Sequence, residues 1–506
     1  MRERRFLRKR CREEDGFVLV LVAIMLTTLL LFAGFAVDFG SWYVRAGEIK
    51  RTADAAALAG VVWMPQFDSA EQAALDAAAR NGFEDGVENI RIWVEAVTGN
   101  NRQLRVTITD TDAKQFFSSL VAQSQAISRG SLAEYVLPVP LGSPKNTFGT
   151  GNLLSTDREN FWAAANGYCA GHESGDDKLA FHESYSTSSG ASQCNNGSED
   201  STSYDPSGYL YAIELPSNAS SLNLEVYDAP YYTSGSPSDL SVASGSQAVT
   251  TIFEVYDRNT TPLDLSNLTL LSTFTYTTNQ SSSTLQNNWV RLQTWTNPSA
   301  GQYYLRARTL GGQLNSRASN GFGIRAFTGS SFSQCTTIIG ATGYSASCPQ
   351  VHGVSDISIL ANGPSTTADF YLAQIDPVHA GKTMRVTLFD AGEGSDTLRI
   401  IDPNGNATTF GWSTPCNPPT PPTGGCSGSG TSLSVSGTGT QPYSGLNSTS
   451  KYNDRYMVLD IALPANYVGL YGTKTWWKVR YTAGSNPTDR TTWSVNIVGD
   501  PVHLVK

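Results

Sequence analysis

The stretch Gly16–Val37, GFVLVLVAIMLTTLLLFAGFAV, contains neither a charged residue nor a proline. As a helix its 22 residues would extend about 33 Å, which is enough to cross the hydrocarbon core of a bilayer. Lipid offers no partner to an unpaired backbone N–H or C=O group, so the stretch must be helical if it lies in a membrane. It therefore predicts a transmembrane helix over residues 16–37.

The charges on either side of this stretch predict its orientation. Residues 1–12 hold seven Lys/Arg and one acidic residue, whereas the rest of the chain holds 28 Lys/Arg and 43 Asp/Glu, a formal charge of −15. The basic excess predicts a cytoplasmic tail over residues 1–15, with the bulk of the chain in the periplasm or at the cell surface. An acidic exported body disfavours nucleic acid as a partner.

A cleaved signal peptide is the alternative interpretation of this N-terminus. Signal peptides have an apolar core of about 7–15 residues followed by small residues, and Ala33, Gly34 and Ala36 are present near the end of this run. The run is longer than such a core, so we expect it to be retained as a single-pass anchor in the cytoplasmic membrane.

The cysteines also indicate export. Cys11 lies on the predicted cytoplasmic side, and the other six fall into three sequential pairs, which is typical of disulfides outside the cytoplasm. No CxxC motif supports a zinc site. The predicted disulfides are Cys169–Cys194, Cys335–Cys348 and Cys416–Cys426.

The residues after the apolar run continue the helical pattern. Small or apolar residues recur every three or four positions until Pro65, which predicts that the helix runs on to about residue 63. Such a narrow stripe of small residues suits close packing. It fits the first helix of a domain and an assembly surface equally well.

Several sequence elements occur here in a fixed order. They are Gly16-Phe17, the apolar run, Val37-Asp38-Phe39-Gly40 and Ala53-Asp54-Ala55-Ala56-Ala57-Leu58-Ala59-Gly60. Over about residues 15–62 the chain resembles the N-terminal segment of TadE/TadG-like Flp pilus-assembly proteins. The resemblance implies a bacterial membrane protein that contacts other pilus-assembly or envelope proteins through its N-terminal helix.

One position departs from the pattern of processed pilins. Gly16-Phe17 resembles a prepilin cleavage junction, but prepilins usually carry a glutamate five residues into the mature chain, and Leu21 occupies that position. A carboxylate inside the span would be costly and therefore meaningful. Its absence makes the chain more similar to the large, uncleaved TadG-like members than to a polymerising pilin.

The exported part begins with a predicted small α+β domain over residues 65–138. Capping and alternation patterns predict helices at 69–83 and 112–121 and strands at 88–98, 102–110 and 127–138. A cluster of Pro and Gly follows, which predicts a disulfide-stapled connector over residues 139–200.

The last 300 residues carry a weak internal duplication. Residues 209–232 and 370–394 both have a strand, a proline-containing turn, a second strand and a terminal aspartate, Asp228 or Asp390. Short alternating strands with frequent turns are typical of β-sandwiches. We therefore predict two tandem β-sandwiches, at residues 201–333 and 350–506. The fold class is α+β and all-β multidomain with an N-terminal transmembrane helix.

Motifs of catalysis and cofactor binding are missing from the sequence. It contains no HExxH, no GxSxG and no P-loop, so we expect neither enzymatic activity nor a cofactor. Asp390, Glu393 and Asp396 are weak candidates for a calcium site, although their spacing does not match an EF-hand.

The sequence thus predicts a membrane-anchored extracytoplasmic structural or interaction protein of Flp-type pilus assembly or cell-surface adhesion. The alternative is an anchored adhesin that binds glycan or cell wall and has no relation to pili, with Trp412, Trp476 and Trp477 as possible stacking residues. An envelope hydrolase is the least supported interpretation. The outer ligand is not defined by the sequence.

Overall fold

The computed structural model describes residues 11–64, 67–97, 100–117, 125–135, 139–149, 161–181, 194, 201–233, 238–241, 247–259, 265, 268–280, 282–362, 367–390, 397–415, 426–435, 455–482, 488–498 and 502–504. They belong to two compact units: the first comprises residues 1–137 with 500–506, and the second comprises residues 138–499.

The helices of the described chain are α1 (Cys11–Val61), α2 (Phe67–Arg80), α3 (Ser282–Leu285) and α4 (Tyr467–Tyr471). The strands are β1 (Ile90–Val97), β2 (Asn100–Ala113), β3 (Gln125–Tyr135), β4 (Leu141–Gly142), β5 (Thr147–Phe148), β6 (Phe161–Asn166), β7 (Tyr209–Leu215), β8 (Ser221–Tyr227), β9 (Leu240–Ser241), β10 (Thr251–Asn259), β11 (Leu270–Tyr276), β12 (Trp289–Thr296), β13 (Gly301–Thr309), β14 (Ala318–Thr328), β15 (Gln350–Val354), β16 (Asp356–Asn362), β17 (Thr367–Gln374), β18 (Thr383–Phe389), β19 (Thr397–Ile401), β20 (Phe410–Ser413), β21 (Ser427–Gly430), β22 (Leu433–Ser434), β23 (Tyr456–Ala462), β24 (Trp476–Thr482), β25 (Thr488–Val498) and β26 (Val502–Leu504).

In the first unit, α1 is one continuous helix of 51 residues, or about 77 Å. It has no proline to interrupt its hydrogen bonds, and its N-terminal half is long and apolar enough to cross a membrane. This confirms the predicted helix that continues past the apolar run. Of the predicted tail over residues 1–15, residues 1–10 lie outside the described part, and residues 11–15 are helical.

The first unit also contains a four-stranded antiparallel sheet in the order β1-β2-β3-β26. Alternate side chains of β2, such as Leu104, Val106 and Ile108, are fully buried. The predicted helix at 112–121 is wrong for residues 112–117. β2 continues to Ala113 because that residue still pairs with Gln125 after a register shift, and residues 114–117 are not helical. Residues 118–121 lie outside the described part.

The second unit contains two large antiparallel sheets. One has the order β11-β10-β13-β7-β15-β4-β17-β24-β19-β22 and the other β12-β8-β14-β6-β16-β25-β18-β23-β20-β21. Buried side chains from both sheets, among them Tyr211 and Leu224, form one hydrophobic core that extends from Val139 to Val495. The body is therefore sandwich-like and all-β, as predicted.

The strand pairings reproduce the internal duplication. β8 lies between β12 and β14, and β18 lies between β23 and β25. Likewise, β13 joins β7 to β10, and β24 joins β17 to β19. Asp228 and Asp390, which directly follow the equivalent strands β8 and β18, are both buried and have φ values of 53° and 55°.

Strand pairings correct the predicted boundaries of the connector and the two sandwiches. β15 pairs with β7 of the first repeat, and β4 pairs with β17 of the second. β6 and β16 pair with each other and with β14 and β25, respectively. The repeats therefore share both sheets, because strands from 139–200 cover edges that two separate sandwiches would leave open. Residues 502–504, assigned to the second sandwich, instead pair with β3 in the first unit.

Candidate functional site

The C-terminal half of α1 packs through small residues. Gly60 shows why: a Cβ atom placed there would lie 2.5 Å from Leu104 Cδ2 and 2.6 Å from the carbonyl oxygen of Ala70. Real Cβ atoms do not approach other atoms so closely, so this position requires glycine. The buried residues of this face of α1 are Ala46, Ile49, Thr52, Ala53, Ala56, Ala57, Gly60 and Val61.

Asp38 lies on the same face of α1, at the end of the apolar run, and is fully buried. Its two carboxylate oxygens accept hydrogen bonds from the backbone N–H groups of Phe116 and Phe117, at 2.8 and 2.9 Å. A buried carboxylate is costly unless it is hydrogen-bonded, and each of these bonds involves a charged acceptor. Asp38 thus ties the residues after β2 to the helix.

Arg45 makes the next connection along α1. Its Nε donates to Asp110 Oδ2 at 2.8 Å, and its guanidinium lies 4.5 Å from the centre of the Phe83 ring. Glu48, one turn further, lies 3.5 Å from the same guanidinium. Asp110 is almost buried, which makes this ion pair less screened by solvent than a surface pair.

An open cavity of about 1090 Å³ lies beside these residues. Its walls come from α1 and from residues near the ends of β1 and β2, and they mix acidic, basic and aromatic side chains such as Glu48, Lys114 and Trp42. The lining includes no histidine and no cysteine.

These contacts account for most of the quoted sequence elements. Asp38, Ala53, Ala56, Ala57 and Gly60 are buried, whereas Val37 and Gly40 are exposed and Asp54, Ala55, Leu58 and Ala59 are partly exposed. Asp54 pairs with Lys50 one turn earlier, at 2.5 Å. Most of the buried residues in these elements therefore pack α1 against the rest of the first unit.

Residues 16–62 match the family described as "Putative Flp pilus-assembly TadE/G-like". This TadE/G-like segment includes the apolar run, Asp38, Arg45 and Gly60, but only a small part of the chain. No curated protein sequence matches the chain.

The chain also aligns with solved structures. The N-terminal CBM22-1–CBM22-2 tandem domain from Paenibacillus barcinonensis Xyn10C aligns with 12% identity over 56% of this chain and 81% of its own length. The TM-score is 0.14, so the alignment carries no argument about fold or ligand.

Two of the three predicted disulfides are present among the described residues. Disulfides join Cys169 to Cys194 and Cys335 to Cys348. Cys426 is also disulfide-bonded, and its predicted partner, Cys416, lies outside the described residues.

Of the three calcium candidates, Glu393 and Asp396 lie outside the described residues. Asp390 is buried, and its backbone N–H donates to the carbonyl oxygen of Arg455. Within the described residues, no group of three or more His, Cys, Asp or Glu side chains is placed to hold a metal ion.

The three tryptophans considered for glycan stacking do not form an exposed surface. Trp477 is fully buried and donates to the Tyr467 hydroxyl at 2.9 Å, and Trp476 is buried against Tyr371. Trp412 is partly buried against the core.

A buried acidic cluster in the second unit was not anticipated. Asp176 is fully buried and accepts hydrogen bonds from the Tyr209 hydroxyl at 2.6 Å and from the backbone N–H of Asn166 at 2.8 Å. Burial raises its pKa, although these hydrogen bonds oppose the shift. Nearby, Lys178 pairs with Asp356 at 2.8 Å. The only signal in the sequence is the Asp176-Asp177-Lys178 run, which by itself indicates a solvated loop.

Proposed function

We propose that the chain is a membrane-anchored, non-catalytic envelope protein that acts in Flp-type pilus assembly or in adhesion at the cell surface. The match of residues 16–62 to the TadE/G-like family carries this proposal. The basic tail would lie in the cytoplasm, and both folded units would lie on the other side of the membrane.

The face of α1 opposite its packed side is the surface that we assign to partner proteins. Tyr43 is 77% exposed, and a side chain added at Gly40 would meet no atom within 4 Å. Gly47 lies on the same face one turn further. Small residues on a helix let another helix approach closely, as in membrane-protein interfaces. Gly40 belongs to the TadE/G-like segment, which ties this face to the family's assembly context.

Two experiments test the proposal. Deleting the gene in the native host should reduce the number of surface pili or the attachment of cells. A photo-crosslinking residue at Tyr43 should capture a pilus-assembly protein, whereas the same residue at Gln72, an exposed position of α2, should not.

Unchanged pili and attachment after deletion would refute the pilus role. Normal pili combined with retention of the chain on cell-wall polymer would favour the adhesin alternative. The orientation has a separate readout: the Cys11 thiol should react with an impermeant maleimide only after the membrane has been permeabilised.

A further inference from the structure

The segment after β2 follows α1 toward the apolar run. Leu104 lies at Gly60, Asp110 pairs with Arg45, and the carbonyl oxygen of Lys114 accepts a hydrogen bond from Trp42 Nε1 at 3.3 Å. Successive residues of β2 therefore contact successively earlier residues of α1, and the residues after the strand continue in the same direction.

The last described residues of this segment lie against the apolar run itself. A Cβ atom placed on Gly34 would lie 2.8 Å from Phe117 Cβ and 2.9 Å from its Cγ. Gly34 is buried by this contact, whereas Phe32 and Phe35 on either side of it are 70% and 55% exposed. Gly34 precedes the end of the apolar run by three residues, or about 4.5 Å of helix.

The two phenylalanines nevertheless remain open to their surroundings. Phe116 is 64% exposed and Phe117 is 54% exposed. Nearby on α1, Phe39 is 61% exposed. Such a group of aromatic rings at the end of an apolar helix is typical of the membrane–water interface.

A segment that enters the edge of a bilayer must also satisfy its backbone. The N–H groups of Phe116 and Phe117 both donate to the Asp38 carboxylate, so neither is left unpaired. Lys114, which is exposed, precedes the aromatic pair and has a side chain long enough to reach the phosphate layer. Polar and apolar groups thus follow the order that a bilayer edge presents.

We propose that Lys114–Phe117, here called the aromatic loop, inserts into the leaflet of the same bilayer that α1 crosses. The occupant of its exposed face is lipid, because Gly34, which Phe117 contacts, belongs to the apolar run. Asp38 fixes the depth of the loop. The inference rests on the proposed anchoring of α1 and adds a second, shallow point of membrane contact.

Site-specific quenching in nanodiscs tests this inference on the full chain. In a Cys11→Ser background, single cysteines at Phe117, Leu29 and Gln72 carry an NBD fluorophore. Lipids carry a nitroxide either near the headgroup or near the chain end, and iodide probes access from water. Leu29 reports the span, and Gln72 reports the aqueous part of the first unit.

We expect NBD at Phe117 to be quenched mainly by the shallow nitroxide and several-fold less by iodide than NBD at Gln72. Iodide quenching as strong as at Gln72, with Leu29 still quenched by lipid, would overturn the loop insertion and leave the anchor intact. Protection from both quenchers would show a protein partner on the loop and would also overturn the inference. An aqueous Leu29 would refute the anchor as well.

A second pair of variants avoids placing the label at Phe117, whose side chain packs against Gly34. With NBD at Phe116, whose side chain is not the one against Gly34, Asp38→Ala should raise iodide quenching several-fold because the loop loses its ties to α1. Glu48→Gln, on the same helix but without a bond to the loop, should leave quenching unchanged. Equal effects of the two variants would contradict the role of Asp38 in holding the loop in lipid.

Discussion

The two units bury different kinds of side chain. In the first, α1 meets its neighbours mainly through small residues such as alanine and glycine, so backbones approach closely and leave no room for a larger side chain at positions such as Gly60. In the second, the largest fully buried side chains are aromatic, among them Trp162, Trp477 and Trp493. Close backbone contact depends on the identity of individual residues, whereas a large core depends mainly on total volume. The first unit should therefore be sensitive to the addition of a single methyl group, and the second to the loss of a large ring.

Removal of a core ring is expected to give the largest effect. Trp477→Ala leaves a cavity between the sheets and removes the hydrogen bond to Tyr467, so the second unit should lose about 3–5 kcal/mol of unfolding free energy. Trp93, which is 54% exposed on β1, provides the control, and Trp93→Ala should cost about 0.5 kcal/mol or less. Chemical denaturation in detergent measures both. A small effect at Trp477 would contradict the common core.

The addition of one methyl group at Gly60 should come next. Gly60→Ala places a Cβ atom 2.5 Å from Leu104 Cδ2 and should destabilise the first unit by about 1–3 kcal/mol. Gly40→Ala is the matched control on the same helix, because nothing lies within 4 Å of its added Cβ atom. That change should stabilise the helix by up to about 1 kcal/mol. Equal effects on thermal unfolding would contradict the close packing of α1 at Gly60.

The loss of the Asp38 carboxylate should have a local effect. Asp38→Ala deprives the N–H groups of Phe116 and Phe117 of their acceptor, which should cost about 1–3 kcal/mol in this segment. Hydrogen exchange at these two amides should therefore accelerate by roughly tenfold or more. Asp54→Ala removes only the pair with Lys50 and should leave both amides protected.

The change in stability at acid pH should be the smallest effect. It can be compared between one carboxylate in each repeat of the second unit. Burial opposes ionisation of Glu254, but hydrogen bonds from Arg308 and Tyr256 outweigh it and lower its pKa. The hydrogen bond from Arg385 likewise lowers the pKa of Asp460. Both carboxylates thus contribute stability above their ordinary pKa values of 4.5 and 3.8, and this stability is lost as pH falls through the lowered values.

From neutral pH into this acid range, the unfolding free energy of Glu254→Gln should fall by less than that of the wild type. The difference should be about 1 kcal/mol or less after solvent screening, and thermal unfolding measures it. Asp460→Asn should reduce the acid loss by a smaller amount, because Asp460 and its partner Arg385 are both more exposed than Glu254 and its partner. A steeper acid loss in either variant would reverse the assigned direction of the pKa shift.

Particular residues show why sequence reasoning succeeded in some places and failed in others. The long helix was predictable because an uncharged run without proline and a regular stripe of small residues are local signals. The duplication was predictable because equivalent strands keep their order, down to Asp228 and Asp390. The helix expected at 112–121 failed over its described residues, 112–117, because pairing of Ala113 with Gln125, twelve residues away, outweighed local propensity.

By itself the sequence determined that one apolar helix leads into a folded region through a TadE/G-like segment, and that an aromatic β-rich body with paired cysteines follows. Tertiary structure alone decided that β4, β6, β15 and β16 join the two repeats into one sandwich, and that Asp38 ties the aromatic loop to α1. Helical periodicity and chain order are local properties, whereas the choice of partner for an edge strand or a buried carboxylate depends on residues that are distant in sequence.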